Sequence, residues 1–261
     1  MQAKQDIDLR ELTGKLVDWL KAMVKEAGSR GLVFGMSGGL DSSVVAVLCK
    51  RAFPEDSLGL LMPCYTNPLE LKHVWKVAED FQIETKLVDL SDILSKLYFK
   101  LEDRPYSNKE VSMPGANLKP RLRMTSLYYL ANKLNYLVVG TGNRSEIMMG
   151  YFTKYGDGGA DLLPLGGLTK SEVRQLANVL GIPTEIINKT PSAGLWEGQT
   201  DEGEMGITYN ELDRIIRGID KGEITDIPIE KVKKVEEAIK VSEHKRNLPR
   251  MFQPKDFEEV K

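Results

Sequence analysis

The feature of this sequence that most constrains its fold is an apolar run that enters a turn of small residues and leaves it as a helix. The apolar run covers residues 31–36, the turn reads Ser-Gly-Gly-Leu-Asp-Ser-Ser at positions 37–43, and an apolar helical run continues to Cys49. Backbone N–H groups at a helix N-terminus favour anions, and glycines let phosphate oxygens approach the backbone closely. The pattern therefore predicts a phosphate-binding turn between a strand and a helix.

A carboxylate stands inside this turn. Asp41 would repel phosphate unless a cation lay between them, so the turn is interpreted as a pyrophosphate site with a built-in metal-binding acid. It has neither the Gly-Lys-Ser/Thr of a Walker A loop nor the Gly-x-Gly-x-x-Gly of a dinucleotide fold. The nucleotide ligands predicted in and beside the turn are Gly35, Met36, Ser37, Gly38, Gly39, Leu40, Asp41, Ser42 and Ser43.

Strand-like and helix-like segments alternate along the chain, which predicts an α/β protein with a doubly wound, mainly parallel sheet and helices on both faces. Five strands are predicted, in one domain over residues 1–261. They are placed near residues 32–36, 58–62, 85–90, 136–140 and 185–187. Ligands of such sheets bind beyond the carboxyl ends of the strands, so the turns after the first, second and fourth strands are expected to share one rim.

Composition excludes several classes of protein. The chain has 36 basic and 38 acidic side chains, a net charge of −2, which gives no electrostatic footprint for nucleic acid. Cys49 and Cys64 are too few and too far apart for a zinc site or a disulfide framework, and are interpreted as free buried thiols. The N-terminus lacks the apolar core of a signal peptide and no apolar run is long enough for a membrane helix, so a cytoplasmic protein is expected.

Further candidate residues follow the fourth strand. Thr141 could donate to a nucleotide, and Glu146 could share Mg²⁺ with Asp41 or could simply be an acid favoured by a helix N-terminus; spacing alone leaves these two equal. Lys170 opens a helix and could neutralise a departing pyrophosphate. The glycine-rich residues 150–165 are typical of a substrate surface, and residues 190–206 of a mobile lid or a disordered loop.

The turn resembles the Ser-Gly-Gly-x-Asp-Ser loop of the N-type ATP pyrophosphatases, which have an adenine-nucleotide α-hydrolase-like sheet. Tyr151-Phe152-Thr153-Lys154-Tyr155-Gly156-Asp157-Gly158-Gly159 narrows the resemblance, because it is similar to a signature of the ammonia-dependent NAD synthetases. Three further stretches are similar to that family in order and spacing: residues 165–170, residues 190–195 and His244-Lys245-Arg246.

The resemblance implies an activity and a set of ligands. In that family the nicotinic acid carboxylate of deamido-NAD attacks the α-phosphorus of ATP, pyrophosphate leaves, and ammonia displaces AMP to give NAD. Beyond the turn, the implied ATP ligands are Met62, Thr141, Lys170 and Ser192. Asp41 and Glu146 would hold Mg²⁺. The implied deamido-NAD ligands are Arg121, Lys154, Asp161, His244 and Lys245, and the implied catalytic residues are Asp41, Lys170 and Asp161. The family also implies a homodimer whose dinucleotide site lies partly across the interface.

The sequence also bears on the source of the nitrogen atom. Members of the family that use glutamine carry an N-terminal amidase domain with a nucleophilic cysteine, whereas no cysteine precedes the first strand here, so free ammonia is expected. Asp157 and Asp161 are both candidates for the group that deprotonates ammonium.

Two rivals remain. One is another adenylating enzyme, similar to GMP synthetase or to a tRNA sulfurtransferase. The other is a non-catalytic nucleotide sensor. Release of AMP and pyrophosphate only in the presence of deamido-NAD discriminates between them and the favoured function.

Overall fold

The protein is described by a computed structural model that covers residues 8–66, 68–108, 112–196, 198–223 and 226–252. In this part of the chain four strands form one parallel sheet. They are β1 (Gly31–Gly35), β2 (Ser57–Leu61), β3 (Thr85–Leu87) and β4 (Tyr136–Val139). The α/β class and the parallel sheet are thus confirmed, and all four strands lie within one or a few residues of the predicted positions.

The order of the strands in the sheet, β3-β2-β1-β4, creates one point at which the chain reverses direction across the sheet. The chain moves outward from β1 through β2 to β3, then returns to the other side of β1 as β4. The loops that leave β1 and β4 diverge at this reversal and open a crevice between them, which is the usual ligand position in a doubly wound sheet.

Twelve helices are present in the described residues. They are α1 (Leu9–Glu26), α2 (Leu40–Ala52), α3 (Pro68–Asp80), α4 (Ser91–Glu102), α5 (Met113–Leu134), α6 (Arg144–Met149), α7 (Lys170–Leu180), α8 (Thr184–Ile187), α9 (Asp201–Met205), α10 (Tyr209–Lys221), α11 (Ile229–Val241) and α12 (Glu243–Arg246). No helix in the described ranges is long and apolar enough to cross a bilayer.

The two faces of the sheet carry separate hydrophobic cores because successive side chains of a strand point to opposite faces. On one face Leu32 and Phe34 of β1 pack with residues of α1, α2, α3 and α7. On the other face Val33 packs with residues of α4 and α5. Both cysteines are free and buried, Cys49 in the first core and Cys64 in the second, as the sequence predicted.

A third apolar cluster joins α9, α10 and α11, with Leu212, Ile215 and Val235 at its centre. Its helices α10 and α11 pack against α6, and α10 also packs against α7. The last part of the chain is therefore a small helical layer packed beside the carboxyl edge of the sheet.

Two sequence predictions are corrected here. Residues 185–187, predicted as a fifth strand, lie in the short helix α8, where Ile186 and Ile187 are buried in the first core. The preceding Pro183 supplies the φ of −53° that starts this turn, and two adjacent buried isoleucines suit a helix contact as well as a strand. The proline, serine, asparagine and glycine content of residues 104–115 predicts a loop, but α5 begins at Met113, where Ser112 caps the helix by accepting from the Gly115 N–H.

Candidate active site

The predicted phosphate-binding turn connects β1 to α2 at the carboxyl edge of the sheet. Gly39 precedes the helix and no side chain caps it, so the first N–H groups of α2 are not taken by a capping side chain. Gly38 has a φ of +75°, and a Cβ there would lie 2.4 Å from the carbonyl oxygen of Glu70. A side chain at position 38 is thereby excluded both by backbone strain and by α3, so the tight turn depends on glycine.

Lys170 joins the two predicted metal-binding acids. Its Nζ lies 2.5 Å from Asp41 Oδ2 and 3.0 Å from Glu146 Oε1, and the lysine is only 4% exposed. The three residues come from the N-terminal turns of α2, α6 and α7. The cluster thus brings two partly buried carboxyl groups to one buried lysine.

The position of Lys170 is fixed from behind by a buried aspartate of α10. Asp213, 1% exposed, accepts from the N–H and the hydroxyl of Ser171 and, at 2.5 Å, from the hydroxyl of Ser145. Ser145 in turn accepts from the Lys170 N–H at 3.0 Å. The negative charge of Asp213 is also favoured by the N-terminal end of the α7 dipole. These hydrogen bonds hold α6, α7 and α10 together directly beneath the cluster.

Burial and charge shift the pKa values of the cluster in ways that follow from its excess negative charge. Burial, together with the charge of Asp41, raises the pKa of Glu146 to about 7 despite the nearby Lys170. Burial opposes the charge of Lys170, but its two carboxylate neighbours outweigh burial and raise the pKa of the ammonium. Near neutral pH the cluster can therefore take up a proton on Glu146 while Lys170 stays charged.

Of the two interpretations of Glu146 that the sequence left equal, the structure shows the acid at a helix N-terminus, and the shared Mg²⁺ stays a prediction. One carboxylate oxygen, Oε2, accepts from the Asn143 N–H and completes a capping box at the start of α6. The other oxygen, Oε1, faces Lys170. The helix cap holds the carboxylate so that its second oxygen points to Asp41 and Lys170.

Three residues around the cluster have no signal in the local sequence. Asn143 donates to Asp41 Oδ1 at 3.0 Å, and the Tyr209 hydroxyl lies 2.9 Å from Asp201 Oδ2 and 3.3 Å from Glu146 Oε1. The ring of Tyr209 lies 5.0 Å from the Lys170 ammonium, and Asp201 is 4% exposed. They form a second layer that orients the charged groups.

A second group of predicted ligands gathers around the glycine-rich loop. Lys154 donates to the His244 carbonyl at 2.5 Å, and Lys245 donates to the carbonyls of Gly150 and Phe152 at 2.7 and 2.9 Å. Arg121 makes a longer contact of 3.5 Å to the Lys154 carbonyl. These cations come from α5, the loop and α12, and the fold thus brings together four of the five predicted dinucleotide ligands.

One cavity of about 700 Å³ serves both groups. The predicted residues that line it are Gly35, Met36, Ser37, Gly39, Leu40, Asp41, Ser42, Met62, Arg121, Thr141, Glu146, Lys154, Lys170, Ser192, His244 and Lys245. Gly38 and Ser43 lie behind this surface: Gly38 shapes the turn, and the Ser43 hydroxyl donates to the Gly39 carbonyl at 2.8 Å.

Asp161 lies apart from both groups. Its Oδ2 accepts from the Val138 N–H at 2.7 Å and its Oδ1 accepts from the Tyr128 hydroxyl at 3.0 Å. Both oxygens are thus engaged by β4 and α5 within one copy of the chain. Its predicted role in substrate binding or catalysis stays a prediction.

Residues 190–196, named here the covering segment, run along the cavity and contribute Ser192 and Gly194 to its lining. The predicted lid extends further, to residue 206, but residues 201–205 form α9, and Met205 is buried in the third apolar cluster. Residues 190–196 and 198–200 form no helix or strand, and the mobility of this part of the chain stays a prediction.

The carboxylates of Asp41 and Glu146 fit a divalent cation, because both already point at one positive charge. The described residues contain no group of three or more His, Cys, Asp or Glu that could hold a metal by themselves. A Mg²⁺ ion at this position would therefore need oxygens from a bound phosphate as well, which is the usual arrangement for this ion.

The fold and the site define a nucleotide-binding α/β protein with an uncapped helix N-terminus, two carboxylates and a buried lysine around one cavity. The model of the NAD synthase family matches residues 12–249, and the chain therefore belongs to that family. It is 48% identical over 245 residues to an NH₃-dependent NAD⁺ synthetase of Carboxydothermus hydrogenoformans, covering 93% of this chain and 97% of that protein.

Solved structures show the same likeness. An NMN synthetase of Francisella tularensis has a TM-score of 0.86 at 34% identity, covering 95% of this chain and all of that one. An NH₃-dependent NAD synthetase of Campylobacter jejuni has a TM-score of 0.80 at 28% identity over the same shares of each chain. The family resemblance drawn from the sequence is confirmed.

Proposed function

We propose that this protein is an ammonia-dependent NAD synthetase: it adenylates the nicotinic acid carboxylate of deamido-NAD with ATP, and ammonia then displaces AMP. The observation that carries the proposal is the cluster of Asp41, Glu146 and Lys170 beside the uncapped start of α2, in a chain of this family. Adenylation is needed because a free carboxylate is an unreactive acyl donor, its leaving group being oxide.

The first step needs positioning and charge neutralisation more than covalent help from the protein. The N–H groups at the start of α2, with the hydroxyls of Ser37 and Ser42, bind phosphate oxygens. Lys170 neutralises charge that develops on the leaving pyrophosphate. Asp41 and Glu146 would hold Mg²⁺, which supplies further charge neutralisation on the phosphates.

The second step needs a dry site, because the adenylate can be hydrolysed by water. The covering segment is proposed as the lid that excludes water while ammonia enters, and Ser192 within it as an ATP ligand. Met62, which is 6% exposed at the end of β2, is proposed to contact the adenine, and Thr141 to donate to the nucleotide.

The second group of ligands is proposed to bind the dinucleotide. Arg121, Lys154 and Lys245 supply positive charge at the glycine-rich loop, and His244 lies against Lys154. A homodimer whose dinucleotide site lies partly across the interface is part of the proposal, with Asp161 as a further dinucleotide ligand and catalytic residue. So is a single catalytic domain located in the cytoplasm.

The test is incubation of the protein with ATP, Mg²⁺, ammonium and a panel of carboxylates, with AMP, pyrophosphate and the amide product quantified. AMP and pyrophosphate should form in equal amounts and only with deamido-NAD. Nicotinic acid mononucleotide belongs in the panel, because one similar structure is that of an NMN synthetase. Formation of ADP and orthophosphate, or turnover with no carboxylate present, contradicts the proposal.

The nitrogen source is tested separately with ¹⁵N. Ammonium should label the amide product, and glutamine labelled at its amide nitrogen should not. Efficient transfer from glutamine by the pure protein contradicts the ammonia-dependent assignment while leaving the adenylation step intact.

A further inference from the structure

One buried cation lies outside the cluster of Asp41, Glu146 and Lys170. Lys119, in the second turn of α5, is 1% exposed, although its helix lies at the rim of the cavity. Its ammonium donates to two neutral oxygens, Asn108 Oδ1 at 3.1 Å and the Leu195 carbonyl at 2.7 Å. It also lies 5.9 Å from the centre of the Tyr106 ring.

A lysine in such a place is costly for the fold. Burial disfavours the charged form and lowers the pKa of Lys119, and both oxygens that receive its hydrogen bonds are uncharged. An apolar side chain of similar length would fill the same space at lower cost. What the ammonium adds is a hydrogen bond that reaches from α5 across 76 positions of sequence to the covering segment.

The same residue of the covering segment is held from its other side. The Leu195 N–H donates to Gln199 Oε1 at 2.7 Å, and Gln199, which is 7% exposed, donates through Nε2 to Glu204 at 2.6 Å. Buried side chains thus fix both the N–H and the carbonyl of Leu195. They do so at one end of the covering segment, next to Gly194, whose φ of +63° turns the chain over Glu70.

We propose that Lys119 is a positioning residue that holds residues 190–196 closed over the cavity through the Leu195 carbonyl. In the closed position Ser192 and Gly194 line the cavity, and water is kept from the bound intermediate. The catalytic part of this inference rests on the proposed NAD synthetase function, whereas the tether itself depends only on the structure.

The tether is tested by limited proteolysis of Lys119→Met against Lys133→Met, a matched change at an exposed lysine of the same helix. Trypsin cleavage after Lys189 and chymotrypsin cleavage after Trp196 are followed by mass spectrometry. Cleavage of Lys119→Met should be about fivefold faster, the factor that one net hydrogen bond contributes to a local opening equilibrium. Equal cleavage of the two variants overturns the tether.

A second variant keeps the test decisive if Lys119→Met does not fold, as judged by its thermal melt. Asn108→Ala leaves the lysine in place but removes the acceptor that orients its ammonium. Faster cleavage of Asn108→Ala than of Lys133→Met supports the tether, and equal cleavage overturns it. Lys119→Arg, which keeps a cation, should be cleaved more slowly than Lys119→Met; equal rates would contradict a role for the charge.

The catalytic role is tested by the ratio of NAD formed to AMP formed, with deamido-NAD, ATP, Mg²⁺ and ammonium. An open covering segment admits water, which hydrolyses the adenylate to the carboxylate and AMP, so Lys119→Met should form AMP in excess of NAD by about twofold or more. Lys133→Met should keep the two equal. A ratio of one in Lys119→Met overturns the positioning role. If even the unchanged protein forms no AMP, the proposed function fails while the proteolysis still decides on the tether.

Discussion

The Nζ atom of Lys170 lies 2.5 Å from Oδ2 of Asp41, although 129 positions of sequence separate the two residues. The contact connects the start of α7 to the turn between β1 and α2, and the proposed function places a nucleotide phosphate beside it. Without a phosphate, the ammonium neutralises the two carboxylates. In the proposed function the same ammonium would serve a bound phosphate, and Asp41 and Glu146 would hold a divalent cation.

Replacing Lys170 tests this exchange. Lys170→Met should lower kcat/KM for ATP by about 10² to 10³, the loss typical of removing one preorganised charge from a phosphoryl-transfer site. It should also destabilise the fold by about 3 kcal/mol, because two partly buried carboxylates are left without a cation. Mg²⁺ should restore part of the lost melting temperature in this variant and have less effect on the unchanged protein.

The control for that change is Lys100→Met, at an exposed lysine of α4. It should leave both the rate and the melting temperature unchanged. A Lys170→Met protein with full activity would show that the lysine is structural only. A variant that Mg²⁺ does not stabilise would count against a metal site on Asp41 and Glu146.

The pH dependence of stability follows from Glu146. Burial and Asp41 raise the pKa of its carboxyl from 4.5 to about 7, so the folded protein holds a proton that the unfolded chain has already released. This stabilisation is fully present below the unfolded pKa and is lost as the pH rises through the folded pKa. Without divalent cations the melting temperature should therefore fall between about pH 5 and about pH 8. The free energy of unfolding should fall by at most about 1.4 kcal/mol per pH unit over this range.

Glu146→Gln has no proton to release and provides the comparison. The melting temperature of this variant should change less with pH over the same range than that of the unchanged protein. Identical slopes in the two proteins would mean that Glu146 is already ionised throughout the range.

A substitution at Gly38 tests whether the turn depends on glycine. Gly38→Ala places a Cβ at a φ of +75° and 2.4 Å from the Glu70 carbonyl, so the turn must move. The variant should lose about 1 to 3 kcal/mol of stability and most of its affinity for ATP, measured by chemical denaturation and by calorimetric titration. Gly14→Ala, in the middle of α1 with open space around it, should instead be stabilised by about 0.5 to 1 kcal/mol with unchanged ATP affinity.

The Asp161→Asn variant distinguishes a structural role of Asp161 from a role in substrate binding. Asp161→Asn keeps one acceptor but cannot serve both the Val138 N–H and the Tyr128 hydroxyl with full charge. The stability should fall by about 1 to 3 kcal/mol. A separate rise in KM for deamido-NAD at a temperature where the variant is fully folded would support the predicted substrate role, and an unchanged KM would leave only the structural one.

Local patterns in the sequence predict most of the fold. The turn at residues 37–43 and the strands beside it are contiguous segments with their own hydrophobic and glycine signals, and the structure confirms them. The prediction at residues 185–187 was wrong because two adjacent buried isoleucines fit either a strand or a helix. Pro183 and the packing of this segment against α7 favour the helix, and neither effect is visible in the hydrophobic periodicity of the sequence.

The site is less predictable because its parts come from distant segments. Glu146 and Lys170 carry motif signals, but nothing near Tyr209 or Asp201 indicates that they reach Glu146. The same holds for Lys119, whose partner lies 76 positions away. A sequence predicts such contacts only when the packing of the helical layer against the sheet is already known.

The burial of Cys49 has a practical consequence. Its thiol is completely inaccessible in the first core, and burial raises its pKa, so almost no thiolate exists at neutral pH. An alkylating reagent can reach this sulfur only when α2 separates from the sheet. The rate of labelling at Cys49 therefore reports how often α2 opens away from the sheet, and no cysteine has to be introduced for the measurement.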